Sequence, residues 1–439
     1  MKRTGRESGG TSLDVKTLAG LATASLSLWG CASRGTPSHF RQPAEFEPQQ
    51  AVWLCPETDE AEHMRIAGDM ISALTGHVTI KLLLPDSAAV EKTREELSRR
   101  GIPMDPAQVF INPMATLFIR DGAVFLIDGR GALAVLDLKW SMYGLPSWCE
   151  KLYPGDKRLV DECRKYIHAE KDGLDVWFAK TSRADVITSS LFLENAAFEV
   201  NGAGVLLISE PLALSRNPGR TRSELESELQ QIPGIRKVIW LGAGLAQDPL
   251  EISTIEGTYV GMGAHGHTDE FVRFADASTI LLAWVDENAT DQHPVNRINR
   301  ARMRANYEIL SRATDQDGRP FRIIKVPMPD IVERRIILAP ATDYSSPWNE
   351  ESFPKSEGRK AGDEVVYAAA ASYLNLLIAN DVVLVPSYVE DGTPVERQGR
   401  VRDQLAAAFP GRTISFVHCT PLNWHGGGPH CATLSEPAR

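Results

Sequence analysis

Phe198-Glu-Val-Asn-Gly-Ala-Gly-Val-Leu-Leu-Ile-Ser209 decides the architecture. Its two apolar halves flank Asn201-Gly-Ala-Gly204, a turn signal, so the stretch predicts a β-hairpin. Residues 220–231 follow with a helical pattern, and 237–241 (Lys-Val-Ile-Trp-Leu) form an apolar run of strand length. Hairpin, helix, strand is the unit. Upstream, 117–127 and 132–138 predict two strands joined at Asp128-Gly-Arg-Gly131, while 52–55 and 78–84 read as buried strands before a helix over 89–100. Downstream, 271–276 and 279–285 precede a helix at 299–313 and a strand at 321–326; 382–386, 400–409 and 413–417 read strand, helix, strand. The unit returns at intervals of roughly seventy to eighty residues, without a clean sequence repeat at that period. A multi-module α/β propeller and a plain mixed α/β sheet both accommodate this rhythm.

The chain of 439 residues is 43% hydrophobic and 24% charged, which excludes a disordered, collagen-like or polytopic membrane protein. A guide of about 150 residues per domain suggests about three domains, but barrels and propellers run longer as one unit. With 47 basic and 57 acidic residues the net charge is −10. That balance is a poor match for nucleic acid, whose binding needs phosphates neutralised by Lys and Arg. A cationic partner suits it, and so does a merely solvated acidic surface.

At the N-terminus, Lys2, Arg3, Arg6 and Lys16 outnumber Glu7 and Asp14, and a short apolar run from Leu18 ends at Cys31. About a dozen apolar residues cannot span a bilayer that requires roughly 20. A basic, then apolar, then small-residue order describes a secretory signal. Leu28-Trp29-Gly30-Cys31 resembles a bacterial lipoprotein box with Cys31 as the lipid-bearing residue, although Trp29 departs from the usual small residue; a plain tail is the other reading. The expected organisation is an export signal at 1–31, a linker at 32–42 and one domain over 43–439, located in the periplasm or cell envelope. Beyond Cys31, the cysteines are Cys55, Cys149, Cys163, Cys419 and Cys431. An odd number leaves at least one thiol unpaired within the chain.

Four stretches combine residue types that chemistry uses. Phe118-Ile-Arg-Asp121 and Leu191-Phe-Leu-Glu194 read as strands ending in a carboxylate. His265-Gly-His267-Thr-Asp269 has period-2 spacing, which would set the three polar side chains on one strand face. They could supply metal ligands, or His267 could move protons while Asp269 holds a cation. Metal lacks supporting His or Cys pairs at ligand spacing. Gly426-Gly-Gly-Pro-His430-Cys431 brings a thiol behind three glycines, whose missing Cβ atoms permit close approach; a buried small hydrophobe is the plainer reading of the cysteine. A thiol, a histidine and three carboxylates without a basic phosphate loop suit nucleophilic attack on a cationic carbon. Guanidinium is planar, always charged and matched by carboxylates.

Together with Pro43-Ala-Glu-Phe-Glu-Pro-Gln-Gln-Ala-Val-Trp53 and Tyr373-Leu-Asn375-Leu-Leu-Ile-Ala-Asn380, these stretches resemble the agmatine deiminase and bacterial-type peptidylarginine deiminase family of guanidino-group-modifying penteins. The resemblance runs from Pro43 to Pro437. It implies a five-bladed pseudo-symmetric α/β propeller with a central site and no metal or other cofactor. It also implies that Cys431 attacks the guanidinium carbon, that His267 protonates departing ammonia and then activates water, and that Glu194 supports the proton transfer. Asp121 and Asp269 would grip the guanidinium nitrogens, with Asn375 near the substrate. The substrate is then a small cationic guanidine such as agmatine, or an arginyl peptide. A non-catalytic surface binding protein on the same fold is the reading from another class.

Three departures stand out. Asp121-Gly-Ala lacks the family's Gly-Pro, Glu194-Asn195-Ala196 replaces Glu-Gly-Gly, and the loop from Gly244 to His265 is long. Leu136-Asp-Leu-Lys-Trp140-Ser-Met-Tyr143-Gly144 has one Lys and no Arg pair for a peptide carboxylate. It resembles the aromatic segment of the agmatine branch, in which Trp140 and Tyr143 would face a cationic amine; ordinary core packing is the alternative for both.

Overall fold

Asn201 organises the hairpin on which the sequence reading turns. Its Oδ1 accepts from the backbone N–H of Ala203 (3.0 Å) and Val205 (2.9 Å), a side chain substituting for a backbone turn. Phe198–Val200 thereby pairs antiparallel with Val205–Ser209, whose residues are all buried. The helices Glu210–Arg216 and Arg222–Leu229 follow, the second opened by a reciprocal Thr221/Glu224 cap. Lys237–Leu241 then returns parallel to Val205–Ser209. The computed structural model describes residues 39–164, 173–285, 293–342, 346 and 348–439.

The same pairing occurs five times. Val124–Asp128, Leu133–Lys139 and Asp185–Phe192 form the second module, with the Phe198 unit as the third. Val272–Asp276, Thr279–Trp284 and Arg322–Pro327 form the fourth; Leu377–Ala379, Val382–Ser387 and Thr413–His418 the fifth. The first draws on both ends of the body: Thr433–Pro437 lies antiparallel to Gln49–Leu54, which is parallel to Thr79–Leu84. In every case an antiparallel pair is followed by a helical crossover to a parallel strand, the connection that parallel strands require.

Shared cores join neighbouring modules. Trp53 and Leu83 pack with Phe125 and Val135; Leu126 and Leu136 with Leu206 and Ile208. Val205 and Leu207 share a cluster with Phe274, Leu282 and Val383, and Leu384 returns to Val52 and Leu82. First to second, and so on back to first, the ring closes. The five-bladed α/β propeller is the architecture, and the plain mixed sheet is excluded.

Several sequence expectations are corrected. Ile119–Gly122 is a 3₁₀ turn, so the strand expected over 117–127 begins only at Val124. The chain leaves strand Tyr259–Ala264 before His265, because His265 (φ 71°) and Gly266 (φ 82°) are both left-handed. His265, His267 and Asp269 therefore do not alternate along a strand face. The long Gly244–His265 loop contains Leu250–Glu256 paired with Tyr259–Ala264, part of a four-stranded sheet outside the five modules. The end of the expected 32–42 linker is built into the body: Phe40–Arg41 pairs with Ile127 and Asp128. Cys149 and Cys163 form a disulfide. The leader and Cys31 lie outside the described residues.

Candidate functional site

Each module places one chemically distinctive side chain in the turn before its first strand. Asp121 precedes Val124, Glu194 precedes Phe198, Asp269 precedes Val272, Asn375 precedes Leu377 and Cys431 precedes Thr433. Topologically equivalent turns of a closed ring thus carry five of the six residues singled out in the sequence. His267 joins them from the fourth module.

Asn375 is the hub. Its Nδ2 lies 3.1 Å from Cys431 Sγ, 3.2 Å from Asp269 Oδ2 and 2.9 Å from Glu270 Oε1. Its Oδ1 accepts from the His430 backbone N–H at 3.0 Å. This closeness depends on the glycine run, since a Cβ on Gly428 would stand 2.7 Å from Asn375 Oδ1. Cys431 Sγ also faces Asp269 Oδ2 at 3.4 Å, and the residue is 4% exposed. Burial, then Asp269, Glu270 and Asp121, pushes its thiol well above the ordinary range.

The acid–base side is built from Glu194 and His267. Arg216 Nε holds both Glu194 oxygens, at 2.7 and 3.1 Å, and both side chains are fully enclosed. Burial alone would raise Glu194, but Arg216 and His267 hold it down at about 2. His267 Nε2 stands 3.5 Å from Glu194 Oε2, an ion-pair separation longer than a good hydrogen bond. Burial disfavours the imidazolium; Glu194, Asp121 and Asp269 outweigh it and raise His267 to about 9. Asp248 fixes the approach to this histidine by accepting from the backbone N–H groups of Ala264, Gly266 and His267 at 2.5, 3.0 and 2.8 Å.

On the other side, Tyr143 donates to Asp121 Oδ2 (2.9 Å), and its ring lies 5.7 Å from that of His267. Trp140 packs on Tyr143 at 4.9 Å, so this aromatic pair borders the site. The Asn195-Ala196 departure is accommodated by backbone chemistry: Ala196 N–H donates to Asp121 Oδ1 (3.1 Å), and Asn195 Nδ2 to Ala123 O (2.8 Å).

Residues outside the sequence-derived set complete the network. His430 bridges Asp269 (2.6 Å) and Glu45 (2.5 Å), and Glu45 also meets Arg120 (3.3 Å) and Arg273 (3.1 Å). Burial opposes ionisation of Asp269, but His430, His267 and Arg273 keep its carboxyl below the usual range. Glu270 is driven the other way by burial, Asp269 and Asp248. Glu45 and His430 were visible inside the diagnostic stretches; Arg216 and Asp248 carried no sequence signal of their roles. Asp269, Glu270 and Cys431 offer ligand atoms within 4.8 Å of one another. The Asn375 amide, a donor, reaches all three, so this donor set fits a hydrogen-bonding cation better than a metal ion. His265 lies apart from it, lining another cavity.

Five closed modules around an enclosed thiol, imidazole and carboxylate cluster define a pentein of the guanidino-group-modifying type. Residues 41–437 match the Porphyromonas-type peptidyl-arginine deiminase family, and the chain belongs to it. The agmatine deiminase of Pseudomonas syringae pv. tomato is 26% identical, over 91% of this chain and 96% of that protein. The Pseudomonas putida F1 agmatine deiminase has the same identity and the same coverages. Among solved structures, the Enterococcus faecalis agmatine deiminase shares the fold with a TM-score of 0.66 at 23% identity, covering 91% of this chain and 96% of that one. A substrate-bound C. jejuni agmatine deiminase gives a TM-score of 0.63 at 16% identity with the same coverages.

Proposed function

We propose that this chain is a deiminase that hydrolyses the guanidinium C–N bond of agmatine or a closely related guanidine, releasing ammonia. The observation that carries the reading is the single enclosed cluster of Cys431, Asp269 and Asn375 beside the His267–Glu194 pair. A guanidinium drawn to Asp121 and Asp269 cancels the negative field that holds the Cys431 proton. The thiol proton passes to solvent, and Cys431 is reprotonated when the C–S bond later breaks. Meanwhile the thiolate forms that C–S bond, and His267, already protonated, gives its proton to the departing nitrogen as the C–N bond breaks. Neutral His267 then takes a proton from water, whose oxygen attacks the same carbon as the C–S bond breaks. The net change is water consumed, ureido product and ammonia formed. Glu194, kept ionised by Arg216, supports the imidazolium. No step calls on a cofactor, since the substrate supplies the positive charge.

Agmatine is favoured over peptidyl-arginine by the absence of an Arg pair in 136–144 and by the names of the curated relatives. Ammonia release across agmatine, free arginine and C-terminal arginyl peptides tests this, with agmatine expected to have the highest kcat/KM. Preference for the peptide overturns the substrate; binding without turnover of any guanidine leaves the surface binding protein.

We further propose that residues 1–31 direct export to the periplasm or cell envelope, with lipid attachment at Cys31. The Cys149–Cys163 disulfide supports an oxidising compartment. Mass analysis of the cell-derived N-terminus tests it, an intact Met1 in the cytosol being the contrary result.

A further inference from the structure

A second cavity, of about 380 Å³, lies against the turn that carries His267. His265 and Gly266 line it from that turn, Asp248 from the segment before Leu250–Glu256, Arg302 from helix Pro294–Arg312, and Lys151 from the end of helix Leu145–Leu152. Its lining carries two cations against the one carboxylate of Asp248. Among the described residues no carboxylate lies within ion-pair distance of Lys151 or Arg302: Lys151 Nζ donates to Ser253 Oγ (2.6 Å), and Arg302 Nη1 to the Gly244 carbonyl (3.0 Å). Burial lowers both cations from their ordinary values.

Asp248 lines the cavity and acts on Arg302 from beyond ion-pair distance, but among the described residues no acid is paired with either cation. Asp248 spends both oxygens on three backbone N–H groups. Glu251 is pushed by burial up to about 7. Glu357, the acid closest to Lys151 in effect, is engaged by Thr254 and by Arg359 at 3.3 Å. His265 Nδ1 is buried without a partner. Burial, together with Arg216, Lys151 and Arg302, drives this imidazole down to about 4. A buried polar atom without a partner is costly unless something supplies one.

We propose that this cavity is a binding site for a small oxyanion or dicarboxylate, held by Arg302, Lys151 and His265, and distinct from the guanidine site. Occupancy adds a negative charge beside Gly266, next to His267, and gives His265 Nδ1 the partner it lacks.

Calorimetric titration of the full chain with inorganic phosphate, with succinate and with ionic-strength-matched sodium chloride tests the assignment. Saturable binding of phosphate or succinate at one site is expected, with no saturable heat from chloride; the two anions distinguish phosphate from carboxylate ligands. Arg302→Met and Lys151→Met should each weaken binding at least tenfold, while Cys431→Ala should leave it unchanged, which separates this site from the deiminase reading. Histidine-resolved NMR, with His265→Gln for assignment, should show the His265 titration rising by at least one pH unit when the anion saturates. If neither anion binds saturably, or both Met variants bind as wild type does, the proposal is wrong. Should those variants fail to fold, a wild-type His265 signal unmoved by either anion overturns it equally.

Discussion

Replacing Glu194 by glutamine keeps the shape and removes the charge that shapes His267. In the wild type Glu194 holds Arg216 through two contacts, at 2.7 and 3.1 Å, and stands 3.5 Å from His267. Two consequences follow. Arg216 keeps its bond to the Ala264 carbonyl (2.6 Å) but loses the carboxylate that grips it, and breaking one side of a buried pair costs about 3 kcal/mol at the low end of the usual range. His267, raised to about 9, loses the contribution of the Glu194 charge, while burial continues to disfavour its protonation. Its pKa should fall by at least one unit, equivalent to about 1.4 kcal/mol. The sign with pH is determined. A histidine raised from about 6.5 in the unfolded chain stabilises fully below that pH, and its contribution disappears as pH climbs through about 9. The stability gap between wild type and Glu194→Gln should therefore be widest near pH 6 and narrow toward the alkaline side. NMR titration of labelled histidine and urea unfolding from pH 6 to 9.5 measure both. An unshifted His267 with a pH-independent gap would refute the ion-pair account.

Cys431→Ser should abolish turnover while leaving the unfolding midpoint nearly unchanged, because an alcohol lacks thiolate nucleophilicity; measurable ammonia release would remove the covalent mechanism. Chelation with EDTA should leave the rate unaltered, and a loss restored by zinc or calcium would reinstate a metal at Asp269, Glu270 and Cys431. Glu270→Gln should change neutral-pH stability by less than about 1 kcal/mol, since burial and Asp269 already favour the uncharged acid; a cost above about 3 kcal/mol, as for breaking a buried ion pair, would show that Glu270 is ionised.

The hairpin–helix–strand rhythm was legible because it is written in features with one strong local meaning. Val205–Ile208 is apolar and Val205–Ser209 is buried throughout, and Asn201 with its glycines leaves little alternative to a turn. Legibility ended where an apolar residue served something other than a strand. Ile119 is fully buried in a 3₁₀ turn, so 117–127 looked like one continuous strand. The His-x-His-x-Asp alternation failed similarly: two left-handed residues at 265 and 266 end the extended backbone that period-2 spacing presumes. Helix Pro294–Arg312 began five residues before the expected boundary, with Pro294 at its first position and His293 Nδ1 accepting from Val295 N–H.

The candidate residues were legible for another reason. Asp121, Glu194, Asp269, Asn375 and Cys431 are far apart in sequence, yet each lies within four residues of the first strand of a module. A ring of repeated modules converts equivalent positions in sequence into neighbours in space, so a short polar word before each inner strand is enough to assemble a site. What such words cannot reveal is the partner that fixes each charge state. Glu194 owes its ionisation to Arg216, which arrives from a helix end, and Asp269 owes its own largely to His430, which is in turn held by Glu45 near the start of the body. Those couplings depend on enclosure rather than on spacing. Burial by itself disfavours ionisation of both carboxyls, and only closure of the ring brings each to the side chains that outweigh it.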